Sequence, residues 1–361
     1  MEESPLVSRA FLLGAGLGTR LRPLTFSIAK QLVPVANKPV IEYGINAILE
    51  AGIRDFGIIV LEPDSEIERA LGDGSRFGAK FTYIPQPAPL GLAHAVKTAH
   101  PYLGDDDFIM YLGDNLIKSS IAELVGEFQE HRPAATILLT PVPNPQDFGV
   151  AQMSGGTVTH LDEKPKEPKS NLALVGVYLF DKRIHDMIAV LQPSKRGEYE
   201  ITDAIQSLID GGLTVRSHIV TGWWKDTGTV EAMLDANRLI LEDVEAKDDS
   251  TSEGKTRIEG RVCIGKGTRI VNSTVRGPAI IGENCLIEDA FVGPFTSIDS
   301  GTKLCRSEIE HSIVLADCSI CDVPDRIEGS LIGRGVSVQH SESRPRSVRL
   351  VLGDSSSVVL T

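Results

Sequence analysis

Short apolar runs alternate with amphipathic stretches along the chain up to about residue 230. The runs are rich in β-branched residues and predict strands over Ala10–Leu13, Phe56–Val60, Phe81–Ile84, Phe108–Leu112, Ile137–Val142 and Leu174–Phe180. Apolar residues at helical spacing predict helices over Val40–Ala51, Leu90–Ala99, Ile121–His131 and Thr202–Ile209, the last with Thr202 as its N-cap. This alternation predicts an α/β domain with a Rossmann-like, mainly parallel sheet, and ligands of such sheets bind beyond the carboxyl ends of the strands.

The pattern changes after a predicted helix near Val230–Val244. Residues 245–254 are polar and predict a linker between a first domain, 1–244, and a second, 255–361. We expect the tail of the second domain, 349–361, to dock as a final strand. Elsewhere in this domain, aliphatic residues recur six positions apart with a compact residue between them. This motif occurs at Ile264/Thr268/Ile270, Ile281/Cys285/Ile287, Val292/Thr296/Ile298, Val314/Cys318/Ile320 and Ile332/Val336/Val338. A period of about six indicates a parallel β-helix, whereas the rival antiparallel sandwich would alternate with period two.

Charge and composition argue against several classes of protein. A net charge of −13 over 361 residues disfavours a nucleic-acid backbone or an anionic membrane as the main partner. No apolar run approaches the length of a membrane span, and the acidic start at Met1–Glu3 does not resemble a signal peptide, so we expect a cytoplasmic protein. The five cysteines are an odd number with one closely spaced pair, Cys318 and Cys321, and we expect free thiols.

A glycine-rich loop, LGAGLGTRLRP at residues 13–23, follows the first predicted strand. Its small residues let the backbone approach a ligand and direct N–H groups at phosphate oxygens, although a plain tight turn would also explain them. A dinucleotide loop is disfavoured because no apolar helix follows and no acidic residue ends a second strand at the expected place. A P-loop is excluded because no Gly-Lys-Ser/Thr follows. With Arg20 in the loop and Lys30-Gln31 close behind, the segment suits a triphosphate.

An ordered set of motifs resembles the sugar-1-phosphate nucleotidyltransferases. Besides the glycine-rich loop and residues 29–39, the motifs are Pro85-Gln86, Pro89–His94, Leu112–Asn115, Phe148–Val150, Asp162–Pro165, Gly197–Asp203 and Trp224–Gly228. Together they are most similar to the long form of the glucose-1-phosphate thymidylyltransferases, which serves deoxysugar and antibiotic-sugar pathways. The resemblance implies a nucleotidyltransferase domain over 1–244 and a left-handed, hexapeptide-repeat β-helix over 255–361. One departure is Ala15-Gly16, where this family has two glycines and a related uridylyltransferase group has Ala-Gly.

The resemblance also implies an Mg²⁺-dependent reaction of dTTP with glucose 1-phosphate. Asp114 and Asp226 would bind the metal, since Mg²⁺ favours one or two carboxylates with phosphate oxygens and water; taken alone, each aspartate would be interpreted as a turn residue. The catalytic residues would be Arg20 and Lys30 on the triphosphate and Lys164 on the attacking sugar phosphate, whose negative charge makes a general base unnecessary. The nucleotide-binding residues would be Leu13, Gly14, Ala15, Gly16, Gly18, Thr19, Gln31, Gln86, Gly91 and Asp114.

The residues that the resemblance assigns to the sugar phosphate are Asn115, Gly149, Glu163, Lys164, Val175, Tyr178, Arg196 and Trp224. Core packing is the other interpretation of Val175 and Tyr178. Gln86 offers a donor and an acceptor to the N3–H and O4 edge of thymine or uracil, and the resemblance implies that Gly91 leaves room for the base. These bases differ by one methyl group, worth only about 1–3 kcal/mol, so UTP is the alternative nucleotide.

Two further classes of function stay open at this point. Many hexapeptide β-helices are acyltransferases with a catalytic histidine between coils, and His311 and His340 lie in this region, although no acyltransferase motif surrounds His311. A non-catalytic regulatory subunit would usually lose the phosphate-loop arginine or a metal aspartate, and this chain keeps both. An exposed coil end suits contacts between subunits, so a homo-oligomer is expected.

Overall fold

The computed structural model of the chain describes residues 7–340 and 353–359. Contacts divide them into two units. The first unit comprises residues 7–17 and 40–226, and the second comprises residues 18–39 and those from 227 onward. The boundary between the units falls inside the glycine-rich loop: residues up to Leu17 belong to the first unit, and residues from Gly18 belong to the second.

Strands and helices alternate through the first 241 residues. The strands up to residue 226 are β1 (Val7–Leu13), β2 (Pro34–Val35), β3 (Lys38–Pro39), β4 (Asp55–Val60), β5 (Lys80–Pro85), β6 (Asp107–Leu112), β7 (Asn115–Ile117), β8 (Ala135–Pro141), β9 (Gly149–Ser154), β10 (Thr157–Glu163), β11 (Leu172–Phe180), β12 (Val215–Ile219) and β13 (Trp224–Asp226). The α-helices are α1 (Val40–Glu50), α2 (Glu66–Leu71), α3 (Leu92–Leu103), α4 (Ile121–His131), α5 (Arg183–Val190), α6 (Ile201–Asp210) and α7 (Val230–Leu241). Short 3₁₀ helices span Thr19–Leu21, Leu24–Phe26, Lys30–Leu32, Ser75–Phe77 and Pro145–Asp147.

A nine-stranded sheet forms the centre of the first unit, with the strand order β10-β9-β11-β6-β1-β4-β5; β8 also pairs with β11, and β12 pairs with β8. Strands β6, β1, β4 and β5 are parallel to one another, whereas β11 runs antiparallel to β6, β8 and β9. The apolar runs of β1, β4 and β6 are buried as the hydropathy pattern predicts. The predicted α/β class is confirmed. The parallel strands β6, β1, β4 and β5 have their carboxyl ends at the same edge of the sheet.

The predicted helices are present, with ends that differ by a few residues. The prediction of Thr202 as an N-cap is wrong, because Glu200 precedes the first turn of α6 and Thr202 is buried inside it. The Thr202 hydroxyl donates instead to Glu163 Oε2 at 3.1 Å. A threonine that caps a helix and one that reaches a neighbouring strand have the same sequence context, so tertiary contacts decide between them.

Three parallel sheets form the β-helix of the second unit. Its strands are β14 (Lys247–Asp248), β15 (Thr251–Glu253), β16 (Arg257–Glu259), β17 (Val262–Ile264), β18 (Arg269–Val271), β19 (Thr274–Arg276), β20 (Ala279–Ile281), β21 (Leu286–Glu288), β22 (Phe291–Val292), β23 (Thr296–Ile298), β24 (Lys303–Cys305), β25 (Glu308–Glu310), β26 (Ile313–Val314), β27 (Ser319–Cys321), β28 (Ile327–Glu328), β29 (Leu331–Ile332) and β30 (Ser337–Gln339). Every third strand stacks on the same sheet, so one coil takes three strands. The predicted left-handed β-helix is confirmed.

Most residues of the six-residue motif line the interior of the β-helix, whereas Val336, in the last repeat, is exposed. Ile264, Ile270, Ile281 and Ile287 are fully buried in one cluster with Cys285. The prediction of a linker over 245–254 is wrong, because β14 and β15 pair in parallel with β17 and β18 and so begin the first coil. Residues 349–352 and 360–361 of the predicted final strand lie outside the described residues, and the described part, 353–359, holds a turn and no strand.

Candidate active site

The carboxyl ends of β1, β4 and β6 hold the start of the glycine-rich loop. The Gly14 N–H donates to the carbonyl of Ile59 at 2.9 Å, and the Gly113 N–H donates to the carbonyl of Leu13 at 3.0 Å. Ala15, the departure from the family pattern, is buried in the hydrophobic core and is not among the residues of positive φ. Its methyl group therefore packs inward at a backbone conformation that needs no glycine.

Backbone pairing brings Asp226, far along the chain, opposite the residue that follows Asp114. Strand β13 pairs antiparallel with β7 so that Asp226 lies opposite Asn115, the residue after Asp114. Burial, and to a smaller extent the negative charge of Asp114, raises the pKa of the Tyr111 hydroxyl, which donates to the carbonyl of Asn115 at 3.1 Å. No cluster of three or more His, Cys, Asp or Glu side chains that could hold a metal occurs in the described ranges. A pair of carboxylates is nevertheless the donor set that suits Mg²⁺, whose other ligands are phosphate oxygens and water.

Gln86 and Gly91 occupy the loop between β5 and α3. Gln86 is buried, and its side-chain Nε2 lies 2.9 Å from Nδ1 of His94. The amide nitrogen can only donate, so Nδ1 accepts and the proton of the neutral ring lies on Nε2. Burial lowers the pKa of His94, which favours this neutral form. His94 stacks on Tyr199 with ring centroids 6.0 Å apart, and sequence reasoning missed it although it ends the motif that contains Gly91.

Gly91 has a structural reason to be glycine. Its φ of +102° is a conformation that other residues rarely adopt, and a Cβ there would lie 2.6 Å from the carbonyl oxygen of Tyr199. The Ala93 N–H donates to the same carbonyl, and the Tyr199 N–H donates to Leu90. Close contact with the backbone of Tyr199 therefore requires this glycine, independently of any space for a base.

Glu163 is the centre of a polar cluster in the first unit. It ends β10 opposite Gly149 of β9, and its carboxylate accepts from Thr202 at 3.1 Å and from Arg196 Nη1 at 3.2 Å. Arg196 also contacts Glu198 and Glu200, at 3.2 and 3.4 Å. Burial raises the pKa values of Glu163 and Glu200. The guanidinium of Arg196 is thus shared by three carboxylates and balances only part of their charge.

Lys164 follows Glu163 with a strained backbone. Its φ of +44° lies in the left-handed region, where a non-glycine residue is uncommon, while its side chain is exposed. The Lys164 N–H donates to the carbonyl of Phe148 at 3.0 Å. Strain of this kind costs about 1–2 kcal/mol and occurs preferentially at functional sites, where it is offset by the rest of the structure.

Val175, Tyr178 and Asn115, three of the residues assigned to the sugar phosphate, are buried. The side chains of Val175 and Tyr178 are buried in β11, where Tyr178 stacks on Phe180, as core packing requires. Burial raises the pKa of Tyr178. The side-chain amide of Asn115 donates to the carbonyl of Val175 at 2.7 Å, so its nitrogen helps to join β7 to β11.

Trp224 lies at the start of β13, two residues before Asp226. Its ring packs edge-on against Phe148, with centroids 5.3 Å apart. The indole Nε1 is buried and has no hydrogen-bond partner among the described residues. An unsatisfied buried donor is costly, so a bound ligand that accepts from it would stabilise the site.

The second unit contains the predicted residues Gly18, Thr19, Arg20, Lys30 and Gln31. The Gly18 backbone, at φ +60°, begins a 3₁₀ turn that contains Thr19 and Arg20, and a Cβ on Gly18 would lie 2.9 Å from the Cβ of Lys30. Gly18, Arg20 and Lys30 are thus brought together locally, with Arg20 exposed. Gln31 is buried, and its Oε1 accepts no hydrogen bond within the part of the chain that the structure describes.

Comparison with known proteins shows which family has this combination of fold and motifs. Residues 9–243 match the family model described as nucleotidyl transferase. A glucose-1-phosphate thymidylyltransferase of Streptomyces antibioticus is 53% identical over 352 residues, which cover 97% of this chain and 99% of that protein. The chain belongs to the nucleotidyl transferase family, among its glucose-1-phosphate thymidylyltransferases.

Other relatives extend the comparison. The Haloferax volcanii low-salt glycan biosynthesis nucleotidyltransferase Agl11 is 45% identical over 98% of this chain and all of that protein. A crystal structure of a Bacillus anthracis glucose-1-phosphate thymidylyltransferase with sucrose superposes with a TM-score of 0.62 at 34% identity, covering 67% of this chain and 98% of that chain. The described residues include no helix that is long and apolar enough to span a membrane.

Proposed function

We propose that the protein transfers a thymidylyl group from dTTP to α-D-glucose 1-phosphate, giving dTDP-glucose and pyrophosphate. The observation that carries this proposal is the pairing of β13 with β7, which places Asp226 opposite the neighbour of Asp114 at the carboxyl end of the parallel strands. The similarity in sequence to glucose-1-phosphate thymidylyltransferases over nearly the full chain supports the choice of substrates.

Asp114 and Asp226 are the residues that would hold Mg²⁺. When bound, such an ion neutralises charge on phosphate oxygens and orients the reacting groups, which is worth several kcal/mol of transition-state stabilisation. The exposed Arg20 and the nearby Lys30 bind the triphosphate and stabilise the negative charge that develops on pyrophosphate as it leaves. Leu13, Gly14, Ala15, Gly16, Gly18, Thr19 and Gln31 complete the nucleotide-binding set.

The reaction is a direct displacement at phosphorus. A phosphate oxygen of glucose 1-phosphate attacks the α-phosphorus of dTTP, and the bond from that phosphorus to the oxygen of pyrophosphate breaks. The nucleophile is already an anion, so no proton has to be removed from it. Lys164 holds this phosphate near its target, and positioning and charge neutralisation supply the catalysis.

The polar cluster around Glu163 binds the sugar. Glu163, next to Gly149, accepts hydrogen bonds from sugar hydroxyls, while Arg196 holds its carboxylate in place; Asn115 contributes a further contact to the sugar. Trp224 donates its unsatisfied indole N–H to the sugar phosphate and forms a wall of the site with Phe148. Val175 contributes through its backbone, since its side chain is buried, and Tyr178 contributes by packing in the core of the same strand.

Gln86 recognises the base. Its Oε1 accepts from thymine N3–H, and the second hydrogen of Nε2 donates to O4 while the first is donated to His94. UTP should also be used, but less efficiently, because uracil differs from thymine only in lacking the methyl group. The reaction would take place in the cytoplasm, in a homo-oligomer, and supply an activated sugar for deoxysugar biosynthesis such as that of antibiotics.

A substrate matrix tests the proposal. Pyrophosphate release is measured with dTTP, UTP, GTP, ATP and CTP against glucose, mannose, galactose and N-acetylglucosamine 1-phosphates, with and without Mg²⁺. We expect the highest kcat/KM for dTTP with glucose 1-phosphate, and no turnover in EDTA. Faster turnover with UTP would replace the proposal by a uridylyltransferase, and no pyrophosphate from any pair would favour a regulatory subunit. Acetyl-CoA-dependent activity lost in His311→Ala would favour an acyltransferase.

A further inference from the structure

Asn237 is a fully buried polar residue in the middle of α7. Its Oδ1 accepts from the backbone N–H of Ala36 at 2.8 Å and from the hydroxyl of Ser297 at 2.9 Å. Its Nδ2 donates to the carbonyl of Phe295 at 3.0 Å. The amide therefore joins three parts of the second unit: the turn between β2 and β3, helix α7 and the β-helix coil that contains β23.

The turn between β2 and β3 makes its own hydrogen bond to the same coil. Ala36 and Asn37 have φ values of +47° and +60°, as a two-residue hairpin turn requires. The side chain of Asn37 donates to the carbonyl of Ile298 at 2.8 Å. One coil of the β-helix thus holds this turn through both Asn237 and Asn37.

The turn ends the segment 18–39, which carries Arg20, Lys30 and Gln31. The segment contains only 3₁₀ turns and two-residue strands, which are too short to be rigid by themselves. A second contact with the β-helix lies nearer its start, where Leu24 Cδ1 is 3.1 Å from the Cβ position of Gly333. The conformation of the segment therefore depends on the surface that it packs against.

We propose that the β-helix is part of the nucleotide-binding machinery, with Asn237 and Asn37 as positioning residues that hold segment 18–39 ready for the triphosphate. This inference rests on the proposed function of Arg20 and Lys30. Groups held in the binding conformation before the ligand arrives save the free energy of ordering them. The β-helix then contributes to affinity for dTTP and not to affinity for glucose 1-phosphate.

Two variants separate the two anchors. Asn237→Ala removes all three hydrogen bonds of the buried amide. Asn37→Gly removes only the side-chain contact to Ile298, because glycine adopts the positive φ without strain. We expect the Kd for dTTP with Mg²⁺, measured by calorimetry without sugar phosphate, to rise about tenfold in Asn237→Ala and about threefold in Asn37→Gly, as loss of hydrogen bonds predicts. The KM for glucose 1-phosphate should stay within twofold of the parent value.

Ser273→Ala is the matched control. The Ser273 hydroxyl is also buried between coils, donates to the carbonyl of Val271 at 2.7 Å, lies 3.3 Å from that of Ile287 and accepts from the Ala290 N–H, but touches nothing in segment 18–39 among these contacts. We expect this variant to lose thermal stability and keep the parent Kd for dTTP. Hydrogen exchange gives a readout independent of activity: residues 18–39 should lose protection in both anchor variants and keep it in the control.

The outcomes distinguish this inference from the proposed function. If the parent protein binds no dTTP, the proposed function fails. If the parent binds dTTP and Asn37→Gly and Asn237→Ala bind it equally well, or if segment 18–39 keeps its protection in both, the positioning role is wrong. A tenfold rise in the Kd for dTTP in Ser273→Ala would also overturn it, because any weakening of the β-helix would then be enough. Should Asn237→Ala fail to fold, Asn37→Gly decides alone.

Discussion

Replacement of Lys164 by glycine should make the protein more stable and much less active. The lysine holds a φ of +44°, a conformation that costs an L-residue about 1–2 kcal/mol. Glycine removes this strain but adds about 0.5–1 kcal/mol of chain entropy to the unfolded state. The net change is a gain of about 0.5–1 kcal/mol in the free energy of unfolding. Loss of a positioned charge at the reacting phosphate should lower kcat by roughly 10²–10³.

Lys166→Gly is the matched control for this variant. Lys166 is exposed in the same loop, but its φ is not positive. Its replacement should lower the free energy of unfolding by about 0.5–1 kcal/mol and leave kcat unchanged. The assays are urea unfolding and pyrophosphate release with dTTP and glucose 1-phosphate. Activity of Lys164→Gly within threefold of the parent would refute the catalytic role, and a loss of stability equal to that of Lys166→Gly would refute the argument from strain.

Two further predictions concern histidines. His94→Phe keeps the stacking on Tyr199 but leaves the Gln86 amide free to turn, so the preference for dTTP over dCTP should fall about tenfold. In the parent protein, burial lowers the pKa of His94. The parent KM for dTTP should therefore be constant above pH 6.5 and rise only on acidification. Burial and His100 lower the pKa of His185 to about 4, so its contribution to stability is complete above pH 6.5 and is lost as the pH falls towards 4. At pH 5 this loss is about 2 kcal/mol. The phenyl ring of His185→Phe fits the same ring stack, so urea unfolding should show a smaller fall in its free energy of unfolding between pH 7.5 and 5 than in the parent. An equal fall in both proteins would contradict the role of His185.

The elements that hydropathy predicts well are those buried in the core. Strands such as β6 must be apolar on both faces, and the β-helix must turn an aliphatic residue inward at each step, so both leave a periodic signal. Strands β14 and β15 leave none. Their residues, from Lys247 to Glu253, are exposed and polar, and they become strands only through backbone pairing with β17 and β18.

The candidate site follows the same rule. Motifs identify the residue types, but nothing in the spacing between Asp114 and Asp226 could show that β7 and β13 pair, because that pairing is a tertiary contact. The ring of His94 and the hydroxyl of Thr202 act through Gln86 and Glu163. Contacts of this kind depend on the packing of α3 and α6 and have no signal of their own in the sequence.

The most direct test of the account is the Mg²⁺ dependence of pyrophosphate release in the parent and in Asp226→Asn. If Asp114 and Asp226 bind one Mg²⁺, the variant should need at least tenfold more Mg²⁺ for half-maximal activity and lose kcat by about 10² or more. Asp64→Asn, which changes an aspartate in an exposed ion pair with Arg69, should match the parent. Parent-like activation by Mg²⁺ in Asp226→Asn would contradict the central claim.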